Sequence, residues 1–592
     1  MLKEQILSTE LCVVGGGMAG ICTAIAAARH GTQVVLMHER PVLGGNASSE
    51  MRMWVCGARG ENNRETGIIE EIMLENLYRN PTKNYYIWDS ILLDFIKREP
   101  NITLLLNTAC MDAEVENGTF AYGRDTRIRS VKGYQMTTQS FITVRADYFA
   151  DCSGDSILAP LSGAAFMYGR EAAEEFGEDT HVKERDNMVM GMSCLIQGRE
   201  TTHDVNFTPS EFVTKLTDED VSNRPMDIYD PTENFWYLEL GGTEDTIEKA
   251  EQTKDRLIPL ALGTWDYIKN SGQYDAKNWE LEFLGFLPAK RESRRMKGEY
   301  IVSQRDISDN TVFPDTVAFG GWPLDDHYPA GYYHRGTPNT DFQTPAPYCL
   351  PYRALYSCHV ENLLFAGRNI SMTHTAMSSI RVMATCALLG QAIGTAVSIA
   401  SKGRMTPHDV YLYHITELQN LLMNDDCFLP YFRRTVSPLC TAIPVSGGEE
   451  LKNGQDRANR IYGTSACGIQ VKNGDCVEYK LLAPSKLDAV HIVFDSDLNR
   501  QTLPGHWCEQ GHVTRANVLL DSPQMHLPKT LCKTFRLTAE TDQGEITLLS
   551  VENNIKRTYH CPISVPVNSL KLQVLENWGD LEETPLVSFD FN

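Results

Sequence analysis

Leu11–Ala28 reads LCVVGGGMAGICTAIAAA. A short apolar run, Leu11 to Val14, leads into Gly15-x-Gly17-x-x-Gly20, and a small-residue stretch, Ile21 to Ala28, follows. A buried strand, a glycine turn and a helix in this order are built to receive a pyrophosphate. The first glycine permits the tight turn, the second lets the backbone approach the phosphates, and the third lets helix and strand pack closely. The helix N-terminus adds free N–H groups and the positive end of its dipole.

The residues just beyond strengthen this reading. Gln33 to Met37 (QVVLM) predicts a second buried strand, and Glu39 stands nineteen residues beyond Gly20, where a carboxylate grips a ribose hydroxyl. Strand, glycines, helix, strand and acid in one unit predict a dinucleotide site. The uncharged stretch from Leu11 to Ala28 also has the look of a signal-peptide core. Three consecutive glycines and the upstream acids Glu4 and Glu10 oppose that. A second uncharged stretch, Val382 to Ala400, carries Gln391, threonines and glycines, and predicts a buried helix instead of a membrane span.

A chain of 592 residues exceeds one ordinary core, so two to four domains are expected. The formal charge of −23 argues against nucleic acid and anionic membranes as partners, since both want a basic surface. The 16 cysteines are scattered, with no CxxC pair and no zinc-finger spacing. No metal site is expected, and the cysteines read as buried thiols of a reducing, cytoplasmic compartment.

After Glu39-Arg40 comes Leu43-Gly44-Gly45-Asn46, a glycine pair suited to a loop passing close over a cofactor. Taken with Gly15 to Gly20, these motifs resemble the FAD-dependent oxidoreductases of the glutathione-reductase structural superfamily. The resemblance implies FAD as cofactor and a Rossmann-like α/β domain. Contacts are implied from Gly15, Gly17, Met18, Ala19 and Gly20, from Glu39 and Arg40, and from Gly44, Gly45 and Asn46. Further along, Ala109 in Asn107-Thr-Ala-Cys110 is implied to lie near the adenosine end. Phe141 to Ala150, a strand, runs into Asp151-Cys-Ser-Gly154-Asp155, which looks like the second flavoprotein signature. Asn362-Leu-Leu-Phe-Ala-Gly367-Arg368 and the helix from Arg381 to Ala400 resemble the terminal FAD segment, adding Gly367, Arg368 and Ala384. Many superfamily members carry an acid where this chain has Arg368.

Four further helices or helical stretches are expected: Thr66 to Arg79, Tyr85 to Lys97, Ile247 to Asn270 and 406–432. Between 163 and 347 the chain is irregular and rich in aromatics, with strands expected at Met190 to Gln197 and Phe235 to Leu240. Here Arg291 to Arg295 reads either as a solvated face or as an anchor for substrate or flavin. Beyond 440, short alternating segments at regular spacing predict a β-sandwich, similar to the galactose-binding-like modules. The expected architecture is therefore an FAD-binding domain in two parts (1–165 and 351–405), an inserted α+β substrate domain (166–350), a helical connector (406–439) and a β-sandwich (440–592).

With no second GxGxxG unit, electrons must pass to or from substrate, an external carrier or oxygen. Oxidation of an alcohol needs a base for the hydroxyl proton, and histidine suits it. His374, expected in a loop beside the flavin, is the first candidate. His327 and His334 follow, and Arg381 is placed to stabilise reduced flavin or an oxyanion. The favoured reaction is hydroxyl/ketone interconversion on a small polar substrate, a carbohydrate or glycoside. Alternatives are a fumarate-reductase-like reductase of activated C=C bonds and a non-catalytic sugar-binding flavoprotein. Oligomerisation is left open.

Overall fold

The computed structural model describes residues 2–463, 467–501 and 516–592. Contacts divide the chain into two units. One comprises Met1–Arg59, Thr82–Leu418 and the described part of Gln501–Gln524; the other comprises Gly60–Pro81, Gln419–Arg500 and Met525–Asn592. Residues 60–81 thus cluster with the C-terminal unit, whereas the sequence reading put them in the first part of the FAD-binding domain.

The first unit is built on a seven-stranded sheet. Strand β1 (Lys3–Val14) enters helix α1 (Met18–Arg29) through the glycine turn, and β2 (Val34–Met37) follows. Helix α2 (Tyr85–Lys97) starts at Asn84, whose side chain accepts the N–H groups of Tyr86 and Ile87. Such a cap satisfies donors that a helix start leaves unpaired. Its apolar face, Trp88, Ile91, Leu92, Phe95 and Ile96, is buried, as the i, i+3, i+4 spacing requires. Strands β3 (Ile102–Leu105), β4 (Thr108–Asn117), β5 (Thr126–Gln135) and β6 (Ser140–Asp151) complete the first half.

Strand order is β3-β2-β1-β6-β5-β4. The pairs β1–β2, β2–β3 and β1–β6 are parallel, and β4–β5–β6 is an antiparallel meander. Parallel pairing demands crossovers, and buried runs such as Val34–Met37 suit it.

The inserted region is tied together by short strands: β7 (Met192–Ser193), β8 (Glu239–Leu240) and β9 (Ala289–Lys290), with β7 in the middle. Helix α3 (Ala250–Asn270), with Pro259 inside it, lies between β8 and β9 in the chain. The strand expected over Phe235 to Leu240 shrinks to its last two residues. Phe235 takes a positive φ of 56°, which breaks the extended run. The strand expected over Met190 to Gln197 is likewise split into β7 and a second segment, Ile196–Glu200.

The chain returns to the sheet at β10 (Leu363–Phe365), which pairs in parallel with the end of β6: Leu363 faces Phe149 and Phe365 faces Asp151. Because Val14 of β1 also faces Asp151, the C-terminal ends of β1, β6 and β10 come level. Open α/β sheets bind ligands at that edge. Helices α4 (His374–Ile380) and α5 (Met383–Gly403) follow. By length and composition α5 could cross a membrane, but 94% of its apolar window is buried within the fold. It lies against α1, with Gly390 and Gly394 at the contact. A Cβ on Gly390 would stand 2.1 Å from the Ala19 carbonyl oxygen.

The second unit contains two four-stranded antiparallel sheets. Its strands are β11 (Ile469–Lys472), β12 (Cys476–Ser485), β13 (Ala489–Phe494), β14 (Cys532–Thr541), β15 (Gly544–Val551), β16 (Thr558–Pro562), β17 (Val567–Asn577) and β18 (Glu583–Phe591). The orders are β11-β18-β13-β16 and β12-β17-β14-β15. Side chains from both sheets, among them Val490, Phe494, Phe535, Leu572 and Phe589, share one core, which makes this unit a β-sandwich. The alternation read from the sequence follows from that geometry, each strand turning every second residue inward.

Candidate active site

The glycine turn has the geometry its spacing implies. Gly15 has φ +106°, and a Cβ there would lie 2.4 Å from the Cys152 backbone. A Cβ on Gly20 would lie 1.9 Å from the Gly15 carbonyl oxygen. Gly17 differs: the nearest atom to its Cβ position is the Gly45 Cα, 3.9 Å away, so this side of the turn faces open space. Gly17 caps α1 with no side-chain hydrogen bond, and the backbone donors of Met18, Ala19 and Gly20 are left for an anion.

A second loop meets the first. The Gly44 N–H donates to the Gly16 carbonyl at 2.9 Å, and Gly44 and Gly45 both have positive φ. The loop rests on α2, where Trp88 donates its indole N–H to the Ala47 carbonyl. His38 clamps the two loops. Its Nδ1 accepts the Gly16 N–H at 3.0 Å and its Nε2 lies 3.1 Å from the Val42 carbonyl. Sequence reasoning passed over His38; its place between the second strand and Glu39 was the available signal. Glu39 follows two residues beyond β2; its side chain is half exposed, and one carboxylate oxygen lies 3.2 Å from His38 Nδ1.

The other predicted contacts sort into two groups. Ala384 belongs to the seam around the turn, its N–H donating to the Cys56 carbonyl at 2.9 Å. Gly367, with φ +118°, approaches Ala19. Asn46 donates to the Lys290 carbonyl at 3.0 Å. Asp155 takes Lys290 at 2.7 Å and Arg368 at 2.5 Å, and these cations hold its carboxyl well below the usual range against the opposing effect of burial. Gly154 has φ +77°, which L side chains rarely adopt, and the Arg368 guanidinium tip lies 2.8 Å from its Cβ position.

Of the remaining three residues, two are engaged by protein partners and one is open. Asp151 is fully buried, accepts from the Ser153 and Leu158 backbones, and organises the turn from inside. Arg40 pairs with Glu50 through two hydrogen bonds. Ala109 is exposed on β4.

These pieces fit FAD. The open cradle at Gly17, the uncapped α1 and the carboxylate of Glu39 suit a pyrophosphate and a ribose. The buried Nε of Arg368 has no protein partner and lines the adjoining cavity.

That cavity, about 870 Å³ including its mouth, is walled by three indoles (Trp54, Trp236, Trp322) and by Arg291, Asp325, His327, Asn339 and Arg381. His327 is 3% exposed. Its Nδ1 lies 2.6 Å from Glu239 and its Nε2 3.5 Å from Asp325, while the Trp236 ring stands edge-on at 5.0 Å. Arg381 pairs with Asp325 at 3.0 Å. Burial alone would raise the Glu239 carboxyl, but Arg291 and His327 bring it down to about 2. Asp325 is likewise held low, against burial, by His327 and Arg381.

His374 is not in a loop. It opens α4, capped by Thr373, and is 4% exposed. Glu292 sits 2.9 Å from Nδ1 and Asp326 3.1 Å from Nε2. Burial disfavours its charge, but these two carboxylates overcome that and raise it to about 10. His334 lies away from the cavity lining, stacked on Tyr328 at 3.8 Å. Arg291 and Arg295 are buried, so this basic cluster is no solvated face; Arg295 pairs with Glu171 and Glu292.

The family of FAD dependent oxidoreductases matches residues 10–422. The chain belongs to that family. It is accordingly an FAD-binding oxidoreductase. No curated protein matches it. Among solved structures it is similar to a point variant of FrdA of E. coli quinol fumarate reductase (12% identity, 71% of this chain, 75% of that one, TM-score 0.28). It is similar also to p-nitrophenol 4-monooxygenase PnpA from Pseudomonas putida DLL-E4 (10%, 70% and 88%, TM-score 0.30). Over 25% of its length it resembles the GH31 carbohydrate-binding module CBM32-2 bound to GalNAc (12%, 95% of that chain, TM-score 0.18). Against the L-proline dehydrogenase from P. horikoshii it spans 26% of that chain.

Proposed function

We propose that this enzyme interconverts a hydroxyl and a ketone on a neutral, polyhydroxylated substrate, a carbohydrate or glycoside, with His327 as the base. Bound FAD supplies the hydride acceptor. In the oxidising direction the substrate hydroxyl gives its proton to His327 Nε2 as its carbon gives up hydride. The observation that carries this reading is His327 itself, buried in an indole-walled cavity with Nδ1 2.6 Å from Glu239 and Nε2 on the side of Asp325, 3.5 Å away.

The charges favour a neutral substrate over an enoate. Each cation lining the cavity already has a carboxylate: Lys290 and Arg368 share Asp155, Arg291 has Glu239, Arg381 has Asp325 and Arg59 has Asp341. A carboxylate-bearing substrate would have to compete with these pairs. Indole faces and the amide and carboxylate groups of Asn339 and Asp325 suit a ring of hydroxyls.

His374, by contrast, is suited to hold charge. With its pKa raised to about 10, it carries a proton at neutral pH and has no lone pair to offer. We read the sandwich as galactose-binding-like, in keeping with a carbohydrate substrate. Electrons leave to an external carrier or to oxygen.

The test is His327→Asn, mixed anaerobically with a panel of neutral hexoses and glycosides. The variant is expected to keep its FAD and to reduce it roughly 10²–10⁴-fold more slowly than the parent. Equal rates would remove His327 as the base.

A further inference from the structure

We infer that Glu239 is a positioning residue that fixes His327 in one tautomer, with the proton on Nδ1 and the lone pair on Nε2. This rests on the reading of His327 as the base. Glu239 is 2% exposed on β8, where it pairs across to Ser193 of β7. Three donors converge on its carboxylate. The Gly191 N–H gives a hydrogen bond at 2.6 Å to Oε1, His327 Nδ1 lies 2.6 Å from Oε2, and Arg291 lies 3.3 Å from Oε2.

An ionised carboxylate only accepts. The hydrogen between Oε2 and Nδ1 therefore belongs to the imidazole, and a neutral His327 must leave Nε2 bare. Across the ring a second carboxylate faces Nε2, but it stands farther off than Glu239 does from Nδ1, so the single proton of the neutral ring stays on the Glu239 side. Asp325 is 3.5 Å from Nε2 and is already served by Arg381 at 3.0 Å, Asn339 at 2.5 Å and the Trp322 indole at 3.3 Å. Arg291 is fixed in turn by the Ser193 hydroxyl and the Trp236 carbonyl, both 2.8 Å away. The same tryptophan presents its ring edge to His327. Arg291, Glu239 and Trp236 thus hold the imidazole's charge partner, tautomer and plane together, a division of labour known from other carboxylate-oriented bases.

Glutamine in place of Glu239 has one acceptor oxygen for donors that now use two. If that oxygen stays with Gly191, an NH₂ faces Nδ1 and moves the imidazole proton to Nε2. The experiment uses holoenzyme with ¹⁵N-labelled histidine, and His327→Asn identifies the signal. In the parent, His327 is expected to show a proton on Nδ1 and none on Nε2. In Glu239→Gln that single tautomer is lost, and flavin reduction by the most active neutral sugar slows about a hundredfold or more, with FAD content unchanged. Glu239→Asp should recover part of the rate.

A parent spectrum with the proton on Nε2 overturns the inference whether or not the variant folds. So does a Glu239→Gln spectrum identical to the parent's. If Glu239→Gln behaves as predicted by NMR while His327→Asn reduces its flavin at the parental rate, the tautomer assignment stands and the base assignment falls.

Discussion

The glycine turn and the cavity beside it are built from different material. Gly15, Gly17 and Gly20 act through what they lack: two admit backbone within 2.4 Å of a Cβ position, and the third leaves space. The cavity acts through side chains that pair with one another, Glu239 with His327 and Asp325 with Arg381. A backbone device fails by steric clash and has no graded substitutes. A charged network fails by leaving one member unpaired, and its members differ in what they cost.

The first test of that contrast carries the largest expected effect. Gly20→Ala forces a methyl against the Gly15 carbonyl at the point where β1 meets α1. The variant should lose FAD and about 3 kcal/mol of stability, as overpacking does; absorbance of the purified protein and urea melts measure both. Retained yellow colour and an unchanged melt would break the contrast.

On the charged side, His374→Gln should cost about 3–5 kcal/mol near pH 6, because Glu292 and Asp326 then lose the charge between them. The pH dependence has a definite sign. The folded pKa of about 10 lies above the unfolded value near 6.5. The stabilisation is therefore complete below about pH 6.5 and is lost as pH rises toward 10. Urea melts of the parent should show that alkaline decline, and the variant should lack the part due to this residue. A parent and variant with parallel profiles would sink the assignment.

The smallest expected effect is at Glu39. Its half-exposed carboxylate is the one predicted ribose contact, so Glu39→Ala should weaken FAD about tenfold without moving the urea midpoint, as equilibrium dialysis can measure. A larger loss would show that the cradle leans on side chains more than the glycines suggest.

The same contrast explains what was legible in the sequence. The glycine turn, β2 and Glu39 lie within one short stretch, and their chemistry depends on spacing alone. Helix α2 was legible from its apolar period, and the sandwich from its alternation. The cavity was not. His327 meets a carboxylate 88 positions away on a two-residue strand, and no local pattern encodes that pairing. The surroundings of His374 were hidden for the same reason: its position beside the terminal FAD segment was legible, while its partners Glu292 and Asp326 arrive from distant segments. Phe235 shows the local counterpart, an aromatic-rich run read as strand that a single positive φ interrupts.

The central claim is that the family's flavin chemistry is here turned on a neutral hydroxylated substrate. Anaerobic stopped-flow of the FAD-loaded enzyme against matched panels tests it most directly. The account predicts that a neutral hexose or glycoside bleaches the oxidised flavin, and that enoate dicarboxylates do not reoxidise the reduced enzyme. Reoxidation by an enoate, with no bleaching by any sugar, would contradict it.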